Sequence, residues 1–307
     1  MFPYLSSVLS GSTFGLYIYL QIIFSFANNI SNYGSDTTGI TYIAKNLHSL
    51  TRTNLIFSRV IVLRLIISLF MSIPLLASLL FMDVGLQLYF LLTLQLLLSQ
   101  LSTKFICIAI NKTSIFAISE ILAKILCVFL IITFVKSDND IYTLYLLNFI
   151  SLILPIIITT LIVITSLRLR IKIMTKKYYL AELKKHYPII LSSIASNSKD
   201  RIAGLIIGPF FGMSLMPAYD IVVKISTMIS SFISVAAVSY QSKSAKNFKK
   251  EEFFRIQAYI FFISLTPLMF YLMLPNISAN IMEIIFNVDI TILGWLIFVH
   301  LFSILVR

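Results

Sequence analysis

NSKDRIAGLIIGPFFGMSLMPAYDIVVK, Asn197–Lys224, is the stretch on which the reading turns. Lys199, Asp200 and Arg201 sit where a helix through 188–211 would cross a bilayer midplane. Three adjacent ionisable groups at that depth are costly, so they must face a protein interior, a water-filled cavity or one another. GPFFG, Gly208–Gly212, then reads as a tight turn between spans, and Asp220 and Lys224 follow on the next apolar run.

Working outward, composition supports a membrane setting. The 307 residues are 59% hydrophobic and 12% charged, and the mean hydropathy is +0.96. Soluble domains carry roughly 25% charged residues. Apolar runs at 14–30, 56–81, 84–108, 113–135, 141–166, 188–211, 217–240, 256–274 and 292–306 predict an all-α polytopic membrane protein. No cleavable leader is visible at Met1–Tyr4, so the first span is expected to act as its own insertion signal. Cys107 and Cys127 lie in apolar runs and give no disulfide framework.

The net charge of +12 sorts by loop. Lys45, Arg52, Lys104, Lys112, Arg168, Arg170, Lys172, Lys176, Lys177, Lys184, Lys185, the cations of 241–255 and Arg307 all fall on one side under helix alternation. The opposite loops hold Lys136 beside Asp83, Asp138, Asp140, Glu283 and Asp289. This positive-inside bias predicts cytoplasmic basic loops and removes nucleic-acid binding as the reason for the basicity. The segment 167–187 reads as a basic cytoplasmic linker between an N-terminal bundle, 1–166, and a C-terminal bundle, 188–307. Its simplest role is a topology anchor, with lipid head-group or partner contact as the alternative.

An internal repeat joins the two bundles. GSTFG (Gly11–Gly15) with Tyr17 recurs as GPFFG (Gly208–Gly212) with Tyr219, and IAKN (Ile43–Asn46) recurs as SAKN (Ser244–Asn247). Both copies have the same expected orientation, which makes them parallel repeats about an axis along the membrane normal. The second copy opens with a full span and the first only with Phe2–Ser10. A partial first helix, about nine full spans and an incomplete C-terminal bundle are therefore expected, from a parent fold of twelve or more helices.

FPYL (Phe2–Leu5), FGLY (Phe14–Tyr17), the Asn32–Asn46 segment and Ser196–Lys224 together resemble the oligosaccharidyl-lipid (polysaccharide) flippases, O-antigen flippases among them, of the multidrug/oligosaccharidyl-lipid/polysaccharide exporter superfamily. The resemblance runs along nearly the whole chain. It implies two lobes that open alternately, and movement of an undecaprenyl-pyrophosphate-linked oligosaccharide to the outer leaflet of a bacterial inner membrane. Partners would be that lipid-linked oligosaccharide, membrane lipid and other polysaccharide-assembly membrane proteins, without nucleic acid. No cofactor or metal is implied, and no enzymatic step.

A diphosphate-linked sugar requires cations, a wet polar lumen and an apolar cleft for its tail; guanidinium forks match phosphate oxygens, and ammonium groups act as point charges. Arg64, Lys124, Lys199, Arg201 and Lys224 are the candidate lumen cations, with Glu120, Asp200 and Asp220 as coupling or structural acids. Glu120/Lys124 and Asp220/Lys224 have the i, i+4 spacing of mutually neutralising pairs. Arg59 can snorkel to the interface. Arg64 has no acid within a helical turn and needs a remote partner or a ligand. His48, His186 and His300 are scattered, and no metal-ligand or phosphate-loop motif accompanies them. A cation or drug exporter would need a net acidic lumen, and a polysaccharide polymerase a large extracytoplasmic loop; both fit less well. Neutralising Arg64 or Arg201 is expected to lower translocation while membrane insertion persists. Full translocation by both variants would exclude these residues as the diphosphate clamp.

Overall fold

The computed structural model describes residues 1–46, 48–80, 85–110, 112–167, 169, 175–224 and 227. Their order is α1 (Phe2–Val8), α2 (Gly11–Asn32), α3 (Ser35–Asn46), α4 (Leu50–Leu80), α5 (Leu86–Ser99), α6 (Lys104–Ala109), α7 (Thr113–Phe134), α8 (Ile141–Leu167) and α9 (Lys176–Phe211). Helical backbone resumes at 216–224. The described residues form no strand. Four helical stretches are long and apolar enough to cross a membrane: Leu50–Ala77, Leu86–Ala109, Thr113–Phe134 and Asp138–Thr165. The chain is an all-α polytopic membrane protein. Spans expected at 256–274 and 292–306, and the end of that at 217–240, lie outside the described residues.

Contacts divide the chain into two compact units, one made of Tyr19–Leu205 with Met1 and the other of Phe2–Ile18 with Ile206–Arg307. In the first, α7 packs along α8, while α3 lies against α4 and α6. Ile43, Phe57, Ile61, Phe105, Ile106 and Val163 fill the core where α3, α4, α6 and α8 meet. Large apolar side chains such as Phe70, Phe90, Phe129 and Phe134 stay exposed. That is what a lipid-facing surface requires, because lipid tails take no free energy from an outward Phe.

Two interruptions shape the interior of this unit. The apolar stretch Leu86–Ala109 breaks at Gln100–Thr103, where the amides of Gln100, Leu101 and Ser102 close tight turns onto Leu97, Leu98 and Ser99. Non-helical backbone at membrane depth is tolerated only against protein or a cavity. Pro155 lies inside α8 and cannot donate to the carbonyl of Ser151. The Thr159 hydroxyl donates to the Pro155 carbonyl at 2.7 Å, one turn further on.

α9 runs unbroken from Lys176 to Phe211, so it carries helix through the linker end expected at 187–188. Its first turns are rich in strong helix formers, Lys, Leu, Ala and Glu. They are fastened to α4 by an Arg59–Glu182 ion pair of 3.0 Å, and Tyr179 packs with Tyr33 and Leu63. Arg59, expected to snorkel, is instead buried, with its guanidinium 5.4 Å from the Tyr42 ring centroid.

In the second unit the repeat acquires a structural register. GPFFG was expected as the turn, yet Gly208–Phe211 is the last turn of α9, and the chain reverses at Gly212 with φ +97°. Only glycine takes that conformation without strain. In the first copy the break precedes Gly11, and the Thr13 amide donates to the Ser10 hydroxyl at the start of α2. The breaks therefore pair Gly11 with Gly212, in the register that also pairs Asn46 with Asn247. A Cβ on Gly15 would overlap the Met213 carbonyl oxygen. Gly15→Val should therefore destabilise the fold by about 1–3 kcal/mol through overpacking, read as a lower melting temperature in detergent. Gly85→Ala, with no atom within 4 Å of the added Cβ, is the control; equal melting of both variants would contradict the packing described.

Candidate polar cavity

The turn between α2 and α3 places the site's first groups. Tyr33 at φ 39° and Gly34 at φ 69° reverse the chain through left-handed conformations. The Tyr33 side chain is buried against Leu63 and Tyr179, which holds this strained residue in place. Ser35 and Asp36 are thereby presented to α4.

Arg64 meets them. Its Nε donates to Ser35 Oγ at 2.6 Å, one terminal nitrogen to Asp36 Oδ1 at 2.7 Å, and the other to the Ser102 carbonyl at 3.4 Å. The Phe105 ring centroid lies 5.0 Å from the guanidinium carbon. Asn32 Nδ2 donates to Asp36 Oδ2 at 2.6 Å, and the Ser35 hydroxyl donates to Asn32 Oδ1 at 2.8 Å. The Arg64 side chain is 4% exposed and that of Asp36 41%. Burial alone would raise the Asp36 pKa, but the Arg64 charge and the hydrogen bonds from Asn32 and Arg64 outweigh it. They hold the carboxyl below its ordinary range.

This network forms one wall of a polar cavity of about 270 Å³. Asn28 and Asn32 come from α2, Ser99 from the end of α5, Gln100 and Ser102 from the break, Lys104 from α6, and Ser151 from α8. Asn28 Oδ1 accepts hydrogen bonds of 2.8 Å from both Ser99 Oγ and Gln100 Nε2, tying α2 to the break. Phe116, Glu120 and Lys124 of α7, with Leu152, Pro155 and Ile156 of α8, complete the lining, and the Lys104 ammonium sits 5.0 Å above the Phe116 ring. Among the described residues no ion pair joins Glu120 to Lys124, although both are exposed on the face turned to the cavity. Three cations and two carboxylates line it, and Arg64 and Asp36 already neutralise each other.

The predicted residues separate accordingly. Lys124 and Glu120 line the cavity together. Arg64 lines it too, but its guanidinium is engaged by Asp36, Ser35 and Ser102, so it builds the wall rather than standing as an open cation. Lys224 pairs with Asp220 across one helical turn and lies 5.0 Å from the Phe2 ring centroid. Arg201 is half-buried on α9, outside the cavity lining. Lys199 and Asp200 are helical in backbone, and their side chains lie outside the description. Sequence reasoning missed Asp36 as the Arg64 partner and took Lys104 for a loop cation, whereas it belongs to the apolar stretch Leu86–Ala109.

The fold is thus that of a membrane-embedded helical protein with a hydrogen-bonding, mildly cationic chamber. Over residues 1–240 the chain matches the family described as polysaccharide biosynthesis protein, and it belongs to that family. Its role lies in polysaccharide synthesis or export. No curated protein and no solved structure matches it.

Losing Asp36 strands a buried charge, at a cost of about 3–5 kcal/mol. Arg64→Met should cost less, since the carboxylate left behind is 41% exposed. Because the folded pKa of Asp36 is depressed, the pair stabilises above the ordinary value of 3.8 and loses that contribution as pH falls through the lower folded value. The melting temperatures of wild type and Asp36→Asn should therefore converge as pH drops below about 3.8. A gap that persists unchanged well below that pH would contradict the pairing.

Proposed function

We propose that this protein flips a polyprenyl-pyrophosphate-linked oligosaccharide across a bacterial inner membrane for surface polysaccharide assembly, as a transporter rather than an enzyme. The supporting observation is the polar cavity: hydroxyl and amide groups suited to sugar, beside the open ammonium groups of Lys104 and Lys124, within a polytopic member of a polysaccharide biosynthesis family. Ammonium groups suit a diphosphate, and Glu120 leaves the pocket mildly cationic rather than strongly so. A ligand that must leave again is served by moderate attraction. The basic loops face the cytoplasm in this reading, and the ligand loads from that side. The likeness to lipid-linked oligosaccharide flippases at Phe14–Tyr17 and Asn32–Asn46 points the same way.

Each charged hydrogen bond to phosphate is worth about 1.5–3 kcal/mol. Lys104→Ala and Lys124→Ala should therefore each weaken binding of the lipid-linked oligosaccharide roughly 10- to 100-fold, while melting temperature stays near wild type. The check is leaflet-resolved quantification of the lipid-linked intermediate in cells that carry each variant as the sole copy. Inner-leaflet accumulation is the expected result. Normal leaflet distribution, with a rise in sensitivity to cationic dyes, would transfer the protein to the cation-exporter class.

A further inference from the structure

The first turns of α9 carry Tyr179, Glu182 and Leu183 at the i, i+3, i+4 spacing of one helix face. Tyr179 is buried with Tyr33 and Leu63, and Leu183 packs against the same cluster beside Val62 and Ile67. Glu182 completes the face through its 3.0 Å ion pair with Arg59, whose side chain is 9% exposed. Arg59 also reaches α3, with its guanidinium over the Tyr42 ring. Net stability is a weak reason for such a pair, because the desolvation of two charges roughly cancels their attraction. Fixing one packing arrangement against its alternatives is the better attested use.

What the pair fixes is seen at Tyr33. Five residues separate Arg59 from Arg64, which sets the two guanidiniums about 140° apart around α4. Both, together with Glu182, lie within electrostatic reach of the Tyr33 hydroxyl. One strained residue therefore adjoins both ion pairs, and its turn delivers Ser35 and Asp36 to Arg64. A non-glycine residue at φ 39° persists only where its surroundings over-determine it. Here those surroundings include the docked face of α9.

We propose that Glu182, Tyr179 and Leu183 are positioning residues for the polar cavity: docking of α9 on α4 keeps Tyr33 in its turn and so keeps Asp36 on Arg64. The docked helix thereby sets the charge of the chamber. Undocked, Asp36 withdraws and Arg64 joins Lys104 and Lys124 as an open cation. The choice of a diphosphate as probe rests on the function proposed above, whereas the positioning does not.

The test is a double-mutant cycle on the full chain in nanodiscs, read by melting temperature and by binding of inorganic pyrophosphate. Glu182→Gln should remove roughly half or more of the melting-temperature loss that Asp36→Asn causes in wild type, whereas independent sites would add. Each single variant should tighten pyrophosphate binding about tenfold, the low end for one charged hydrogen bond. The double variant should gain no more than either, since both changes release the same guanidinium. Exchanging the charges, Arg59→Glu with Glu182→Arg, should return both readouts toward wild type. Leu183→Ala loosens the dock without touching a charge and should shift both readouts the same way, which keeps the test open if Glu182→Gln does not fold. Additive melting losses would overturn the assignment. So would wild-type pyrophosphate affinity in Glu182→Gln alongside tighter binding in Asp36→Asn. Pyrophosphate that binds neither wild type nor any variant, with melting losses still non-additive, would uphold the positioning and strike the head-group reading instead.

Discussion

A guanidinium buried at mid-helix is the constraint from which the described structure follows. Arg64 cannot stay charged in an apolar interior unless its donors are taken up, and α4 offers no acid within a turn. Ser35 and Asp36 supply the partners from α3, and the Ser102 carbonyl supplies one from the interrupted stretch Leu86–Ala109. Three elements are fixed by one side chain. The left-handed turn at Tyr33–Gly34 is what delivers α3 to that meeting point.

The same arrangement creates the polar chamber. A continuous helix through Leu86–Ala109 would keep its backbone groups to itself, whereas the break turns Gln100 and Ser102 one way and Leu101 and Thr103 the other. Polar and apolar spaces consequently meet along one seam at Ile156. In the proposed function this chamber sets the ligand's charged head against Lys104 and Lys124.

The helical membrane fold was legible in the sequence because long apolar runs have few other solutions, and the described residues of the runs at 56–81, 84–108, 113–135 and 141–166 are helical apart from the break at Gln100–Thr103 and single end residues. Within the site, Glu120 and Lys124 were legible from their shared helix face, although they line a cavity together rather than form an ion pair. Asp36 was not, since it stands 28 residues from Arg64 and only the fold brings them together. Lys104 looked like a loop charge because the break beside it interrupts the apolar pattern. Arg64 illustrates the general difficulty: burial without a local partner announces that a remote group is required, but not whether that group is a side chain or a ligand. The glycine repeat was visible as words, yet its register needed the helix breaks at Gly11 and Gly212.

The central claim, that the chamber beside Arg64 receives the diphosphate head of a lipid-linked sugar, is most directly tested by protection from alkylation. Cys107 and Cys127 are buried and free, so both can be replaced by Ser before a single cysteine is placed at Lys124. Its modification by a water-soluble thiol reagent is then followed with and without polyprenyl-pyrophosphate oligosaccharide. The account predicts marked slowing by the lipid-linked sugar and none by a cationic dye. An unchanged rate with the lipid-linked sugar, together with protection by the dye, would contradict it.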